Sequence, residues 1–134
     1  QMHADTGFGP DRSEATARLG SLAREGVVFA LHSDFNLVVG PLSPLTAAWT
    51  AVNRLGADER TVLAPGERIS VDRALRAITI DAAHVLKRDA SIGSIEVGKL
   101  ADFTVLDDDP YAVEPARLNQ IPVHATVLGG EPQA

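Results

Sequence analysis

Val27-Val-Phe-Ala-Leu-His-Ser-Asp34 is the stretch on which the reading of this chain turns. Five apolar residues in succession, then a polar cluster, form the pattern of a strand buried on both faces, where a half-exposed strand would alternate. Side chains point to opposite faces at a period of two, so Val28, Ala30, His32 and Asp34 fall on one side. In α/β barrels the chemistry stands at the carboxyl ends of parallel strands, the place His32 and Asp34 would occupy. An ordinary strand running into a polar turn carries the same pattern, with both residues hydrogen-bonded to backbone. The flanking segments bear on the choice.

Upstream, Asp11 or Ser13 caps a predicted helix over Glu14 to Arg24, with Ala15, Leu19 and Leu22 on one side and Gly26 ending it. A helix feeding straight into a buried strand is the αβ half of a βαβ unit. Residues 1–10 read as a loop, with two Gly and a Pro within four positions. His3 and Asp5 in that loop are two apart; His3 is a candidate metal ligand, with a solvated turn as the alternative. Downstream, Phe35-Asn-Leu-Val-Val-Gly-Pro41 is apolar for a loop. Loops at the carboxyl ends of barrel strands line pockets, which makes Phe35, Asn36 and Leu37 substrate-pocket candidates, against packing on a neighbouring loop. Ser43-Pro44 then opens a predicted helix, Ser at the N-cap and Pro at the first turn. Leu45, Ala48, Trp49, Val52 and Leu55 form its core stripe, and Gly56 stops it.

Residues 57–68 read as a surface connection. Ser70 is expected to cap a helix over Val71 to Ile80, with Val71, Ala74, Leu75 and Ile78 inward. Asp81 is expected to cap another, from Ala82 to about Lys87, whose terminal basic residues suit the helix dipole. His84 has no acidic or His neighbour four residues away, so it reads as a surface or packing residue. From Ile92 the pattern changes to period two. Gly93 and Gly98 bracket a turn, Lys99 reads as solvated, and Leu100 to Leu106 is a predicted strand. Asp107-Asp108-Asp109 lacks the Gly and downstream Glu of a calcium loop and reads as a solvated turn. Val123 to Leu128 followed by Gly129-Gly130 is a hairpin signal with little return strand after it.

Composition narrows the classes. The 134 residues fit one domain, able to bury roughly two thirds of its unfolded surface. A net charge of −6, with Lys and Arg scattered, disfavours a nucleic-acid surface. No Cys is present, so any metal in this chain is held by His, Asp or Glu. No apolar run approaches the roughly 20 residues of a bilayer span, and no leader-like N-terminus is visible, so no membrane role is expected and a cytoplasmic location is. Gln1 is not an initiator residue and Met2 is the only Met, so the chain is expected to begin partway through a longer protein or after processing.

Four stretches carry a resemblance: Phe29-Ala-Leu-His-Ser-Asp34; Pro44-Leu-Thr-Ala-Ala-Trp-Thr-Ala-Val-Asn-Arg54; Glu67 to Ile80 continuing into Asp81-Ala-Ala83; and Ile92-Gly-Ser-Ile-Glu-Val-Gly-Lys-Leu-Ala-Asp-Phe-Thr-Val-Leu106. In this order and at these separations the chain resembles the C-terminal part of metal-dependent amidohydrolases, the amidohydrolase-3 branch that includes N-substituted formamide deformylases. The resemblance implies an α/β fold: the C-terminal fragment of a (β/α)8 barrel plus part of a small β-sandwich. Residues 1–90 would be the end of the barrel (the end of strand seven, strand eight and the following helices), and 91–134 the C-terminal share of the sandwich. It implies Asp34 as catalytic residue and metal ligand, and a divalent ion, zinc, in the full-length parent; His32, on the same face, is a candidate for orienting Asp34 or the pocket, with plain barrel-core packing as the alternative. The family's other metal ligands have no counterpart here. The expected activity is hydrolysis of a non-peptide C–N bond in a small amide. The expected partners are the missing N-terminal part of the same protein and further copies of it, and the segment alone is expected to be inactive. The competing reading is a non-catalytic folding or oligomerisation module derived from such an enzyme.

Overall fold

The computed structural model describes residues 17–33, 43–55 and 60–133. Helix α1 spans Leu19–Arg24. The earlier part of the helix predicted from Glu14 includes residues outside the described ones. The chain reverses at Glu25 and Gly26, and the Val27 amide donates back to the Leu22 carbonyl (3.0 Å).

Residues 27–33 differ from the expected buried strand. No strand among the described residues lies beside them, and Val27 and Val28 are 43% and 46% exposed. A parallel strand is buried only when neighbours flank it and helices cover its faces, and the described residues cover one side alone. Phe29 and Leu31 pack against the core, whereas Val28 and His32 are exposed.

Helix α2, Pro44–Asn53, begins where Ser43-Pro44 predicts, with Ser43 at the N-cap but making no side-chain cap bond. Leu45, Ala48, Ala51 and Val52 are its buried face. It ends on Arg54 in the left-handed region (φ 56°), before Gly56 is reached. A non-glycine residue there costs about 1–2 kcal/mol, and Arg54 offsets this through its own side chain. Its Nε donates to the Leu63 carbonyl and its Nη1 to the Ala17 carbonyl, both at 3.1 Å. Burial lowers the pKa of this guanidinium, which nevertheless stays charged.

A 3₁₀ turn at Pro65–Glu67 leads to α3, Val71–Ile78. Ser70 caps α3 as expected, its Oγ accepting from the Arg73 amide (3.1 Å). Thr79 interrupts the helical run, and α4 follows as Ile80–Val85 with Thr79 rather than Asp81 at its N-cap. Asp81 lies inside the first turn and is buried; its partners are ionic, as described below. The core joins α2 to Ile69, Ala74 of α3, and Leu118 and Ile121 from a second 3₁₀ turn at Pro115–Gln120 and its exit. Trp49 Nε1 donates to the Ala116 carbonyl (2.8 Å) and Asn53 Nδ2 to the Pro115 carbonyl (2.9 Å), fixing that turn to α2.

The sheet is antiparallel, in the order β1 (Phe103–Leu106), β2 (Val123–Leu128), β3 (Glu131–Gln133). The hairpin at Gly129-Gly130 forms as predicted, and its three-residue return strand pairs Leu128 with Glu131. The Asp102 carboxylate accepts from the Gly129 amide (2.7 Å), the backbone-satisfying role expected of it. Lys99 corrects the sequence reading: its side chain is 11% exposed and Nζ donates to Ser94 Oγ (2.6 Å) and Glu96 Oε1 (3.2 Å). A short loop between two glycines brings those acceptors back to it. Among the described residues no helix is long and apolar enough to cross a membrane.

Gly93 has φ +94°, and a Cβ there would stand 2.6 Å from Ala83 Cβ and 3.0 Å from Ile80 Cα. Gly93→Ala is therefore expected to destabilise the fold by about 2–4 kcal/mol, through left-handed backbone strain and overpacking against α4. Urea unfolding measures it; an unshifted midpoint would show that this loop does not press on α4.

Candidate functional site

His3, Asp34, Phe35, Asn36 and Leu37 lie outside the described residues. His32 is described, exposed near the end of the 27–33 segment. Among the described residues no three His, Asp or Glu side chains converge as a metal-binding group. The acidic turn behaves as the sequence predicts. Asp107 Oδ1 lies 3.0 Å from His124 Nδ1, and Asp109 accepts from the Tyr111 amide (2.8 Å), all at the surface. His84, exposed as expected, has a partner one position beyond the spacing considered, Asp89, with Nδ1 3.1 Å from Oδ2. That contact holds the Asp89 carboxyl below its usual pKa.

What the structure does resolve is how the segment leading to position 34 is held. Three groups converge on the Arg73 guanidinium. Nη1 pairs with Asp81 Oδ2. Nη2 donates to the Val27 carbonyl (2.9 Å). The guanidinium carbon also lies 4.2 Å from the centroid of the Phe29 ring, within cation–π range. One turn further along α3, the Ala77 carbonyl accepts from the Leu31 amide (3.0 Å). Helix α3 therefore grips the odd-numbered side of the segment at Val27, Phe29 and Leu31. The other Asp81 oxygen accepts from Arg76 Nη2 (3.3 Å), so the buried carboxylate is met on both oxygens.

Sequence reading missed this cluster. It places Asp81 at a helix N-cap and assigns Arg73 no role. The one available signal was an Asp just past a helix carrying Arg three and six positions into it, and helical periodicity does not connect residues across the Thr79 break.

Helix α1 is tethered by a second carboxylate. Glu67 accepts from the Ser21 amide (2.6 Å) and the Ser21 hydroxyl (2.5 Å), with Arg24 Nη2 at 3.6 Å. These contacts, the Ser21 hydroxyl first, hold the Glu67 carboxyl below its ordinary range. The start of the 27–33 segment is thus fixed from both α1 and α3.

The model of the amidohydrolase family matches residues 1–134. The chain is 31% identical over 126 residues to the amidohydrolase YtcJ of Bacillus subtilis, covering 92% of this chain and 23% of that protein. It is 39% identical over 113 residues to an N-substituted formamide deformylase of Arthrobacter pascens, covering 82% and 20%. The crystal structure of an amidohydrolase from Thermotoga maritima superimposes with a TM-score of 0.60 at 25% identity, over 90% of this chain and 25% of that one. The chain spans about a quarter or less of the length of the relatives described.

Because the Glu67 pKa is lowered in the folded state, its ionised form stabilises the fold above the unfolded pKa of about 4.3, and that contribution is lost as pH falls through the native value. The gap in urea midpoint between wild type and Glu67→Gln, present at pH 7, is expected to shrink as pH drops below about 4.3. A gap that stays constant down to pH 2.5 would contradict the tether.

Proposed function

The chain belongs to the amidohydrolase family, and from that premise we propose that it is the C-terminal segment of a hydrolase that cleaves a C–N bond in a small non-peptide amide. What supports this is the family match across residues 1–134, which includes the apolar run ending at Asp34. In this reading residues 1–90 complete a barrel and 91–134 contribute the C-terminal share of a β-sandwich. The 27–33 segment is the last barrel strand, paired by strands elsewhere in the parent, which accounts for the exposure of Val27 and Val28.

Asp34 is the acid this segment delivers. One carboxylate oxygen would hold a divalent ion, zinc in this proposal, which would supply an activated water when bound; the other oxygen would take a proton from that water and pass it to the leaving amine. His32, on the same face and two residues earlier, orients that carboxylate, and Phe35, Asn36 and Leu37 border the substrate. The described residues do not build the metal site themselves, since no three candidate ligands among them converge. The remaining donors belong to the rest of the parent, so this segment alone is inert. Its exposed apolar face favours association with that remainder or with further copies.

N-substituted formamides, the substrate class in the name of the Arthrobacter pascens relative, are the first probes. In the intact parent, Asp34→Asn is expected to lower kcat by about 10²–10⁴-fold, the range of a lost general base, with the melting temperature unchanged. Wild-type turnover in the folded variant would overturn the assignment.

A further inference from the structure

The geometry points to Arg73 as a positioning residue: its guanidinium, locked by the buried Asp81, holds the Val27 carbonyl and the Phe29 ring and so sets where the segment ending at Asp34 stands. The inference rests on the reading of Asp34 as the acid of the site. Arg73 itself is placed in contact with neither substrate nor metal.

Three features separate this from an ordinary surface ion pair. The first is burial: the side chains of Arg73 and Asp81 are only 20% and 8% exposed, and Asp81 is held on its other oxygen by Arg76. A guanidinium anchored to a buried carboxylate cannot swing out to water without leaving that charge underpaired. The second is division of labour within one planar group. Nη1 faces Asp81, Nη2 faces Val27, and the guanidinium lies over Phe29. A lysine ammonium offers no planar fork and cannot meet these partners in the same way. The third is direction. The groups held (the Val27 carbonyl, the Phe29 ring and, through Ala77, the Leu31 amide) belong to residues of one parity. Val28 and His32 are exposed and Ala30 between them is half-buried, and Asp34 shares their parity by sequence. A shift of the segment on α3 would displace the acid, and misplacement by about 1 Å can cost about 100-fold in rate.

Arg76 provides the control, because among the described residues it pairs with Asp81 and bonds no group of the 27–33 segment. In the intact parent assayed on an N-substituted formamide, Arg73→Lys is expected to lower kcat about 10- to 100-fold with KM little changed. Arg76→Lys should leave kcat within about twofold, the small effect expected of a half-exposed partner. Hydrogen exchange gives a readout independent of turnover: the Leu31 amide, protected in wild type, should exchange faster in Arg73→Lys and not in Arg76→Lys. If Arg73→Lys fails to fold, Phe29→Leu, which removes the ring beneath the guanidinium but keeps an apolar side chain against the core, should show a smaller loss in kcat and faster Leu31 exchange. Wild-type kcat and unchanged Leu31 protection in a folded Arg73→Lys, alongside an inactive Asp34→Asn, would overturn the positioning role and leave the Asp34 reading intact. An active Asp34→Asn with faster Leu31 exchange in Arg73→Lys would overturn the Asp34 reading and, with it, the catalytic consequence assigned to Arg73.

Discussion

A carboxylate withdrawn from water must be met by donors, and the need to satisfy Asp81 governs how the helices and the 27–33 segment fit together. Desolvating such an ion costs several kcal/mol even after relaxation, on the order that only close, well-aligned partners recover. Two arginines of α3 converge on it, and they are not equivalent. Arg76 reaches it from a half-exposed position, whereas Arg73 is enclosed and turns its remaining surface to the segment beyond. The charge that holds α3 to α4 thereby also fixes Val27 and Phe29.

The rest of the fold makes that arrangement rigid by tying distant parts of the chain to the same helices. Trp49 and Asn53 of α2 bond the carbonyls at 115 and 116, which sets Leu118 and Ile121 into the core shared by α2 and α3. Tyr111, largely exposed, reaches Asp72 at the start of α3 (3.4 Å), and partial desolvation with that acid beside it raises the phenol's pKa. Beyond the core, the loop at 93–99 presses on α4 at Gly93 and is closed on itself by the Lys99 contacts, and Asp102 secures the hairpin turn. Sequence thus passes to packing, and packing to the placement of one short segment.

Local chemistry was legible in the sequence where it is local in the structure. Ser70 capping α3, Ser43-Pro44 opening α2 and Gly129-Gly130 turning the hairpin each depend on neighbours within a few residues, and each forms. Arg54 was not legible, because its left-handed conformation is compensated by carbonyls 9 and 37 residues away. The run Val27–Leu31 reads as a buried strand, yet no strand among the described residues pairs with it. Arg73 was hidden for the same reason: its partners at 27, 29 and 81 follow no periodicity. Of the site, the apolar run ending in an acid was the readable part, and the grip that α3 exerts on it emerged only from three-dimensional contacts.

The measurement that bears most directly on this account is a crystal structure of the intact parent grown with a divalent cation. The account predicts an Asp34 carboxylate oxygen at ~2.0–2.2 Å from the bound ion, with Arg73 Nη2 still on the Val27 carbonyl and Leu31 still bonded to Ala77. A metal coordinated without Asp34, or a last strand seated on α3 with Arg73 turned away from it, would contradict it.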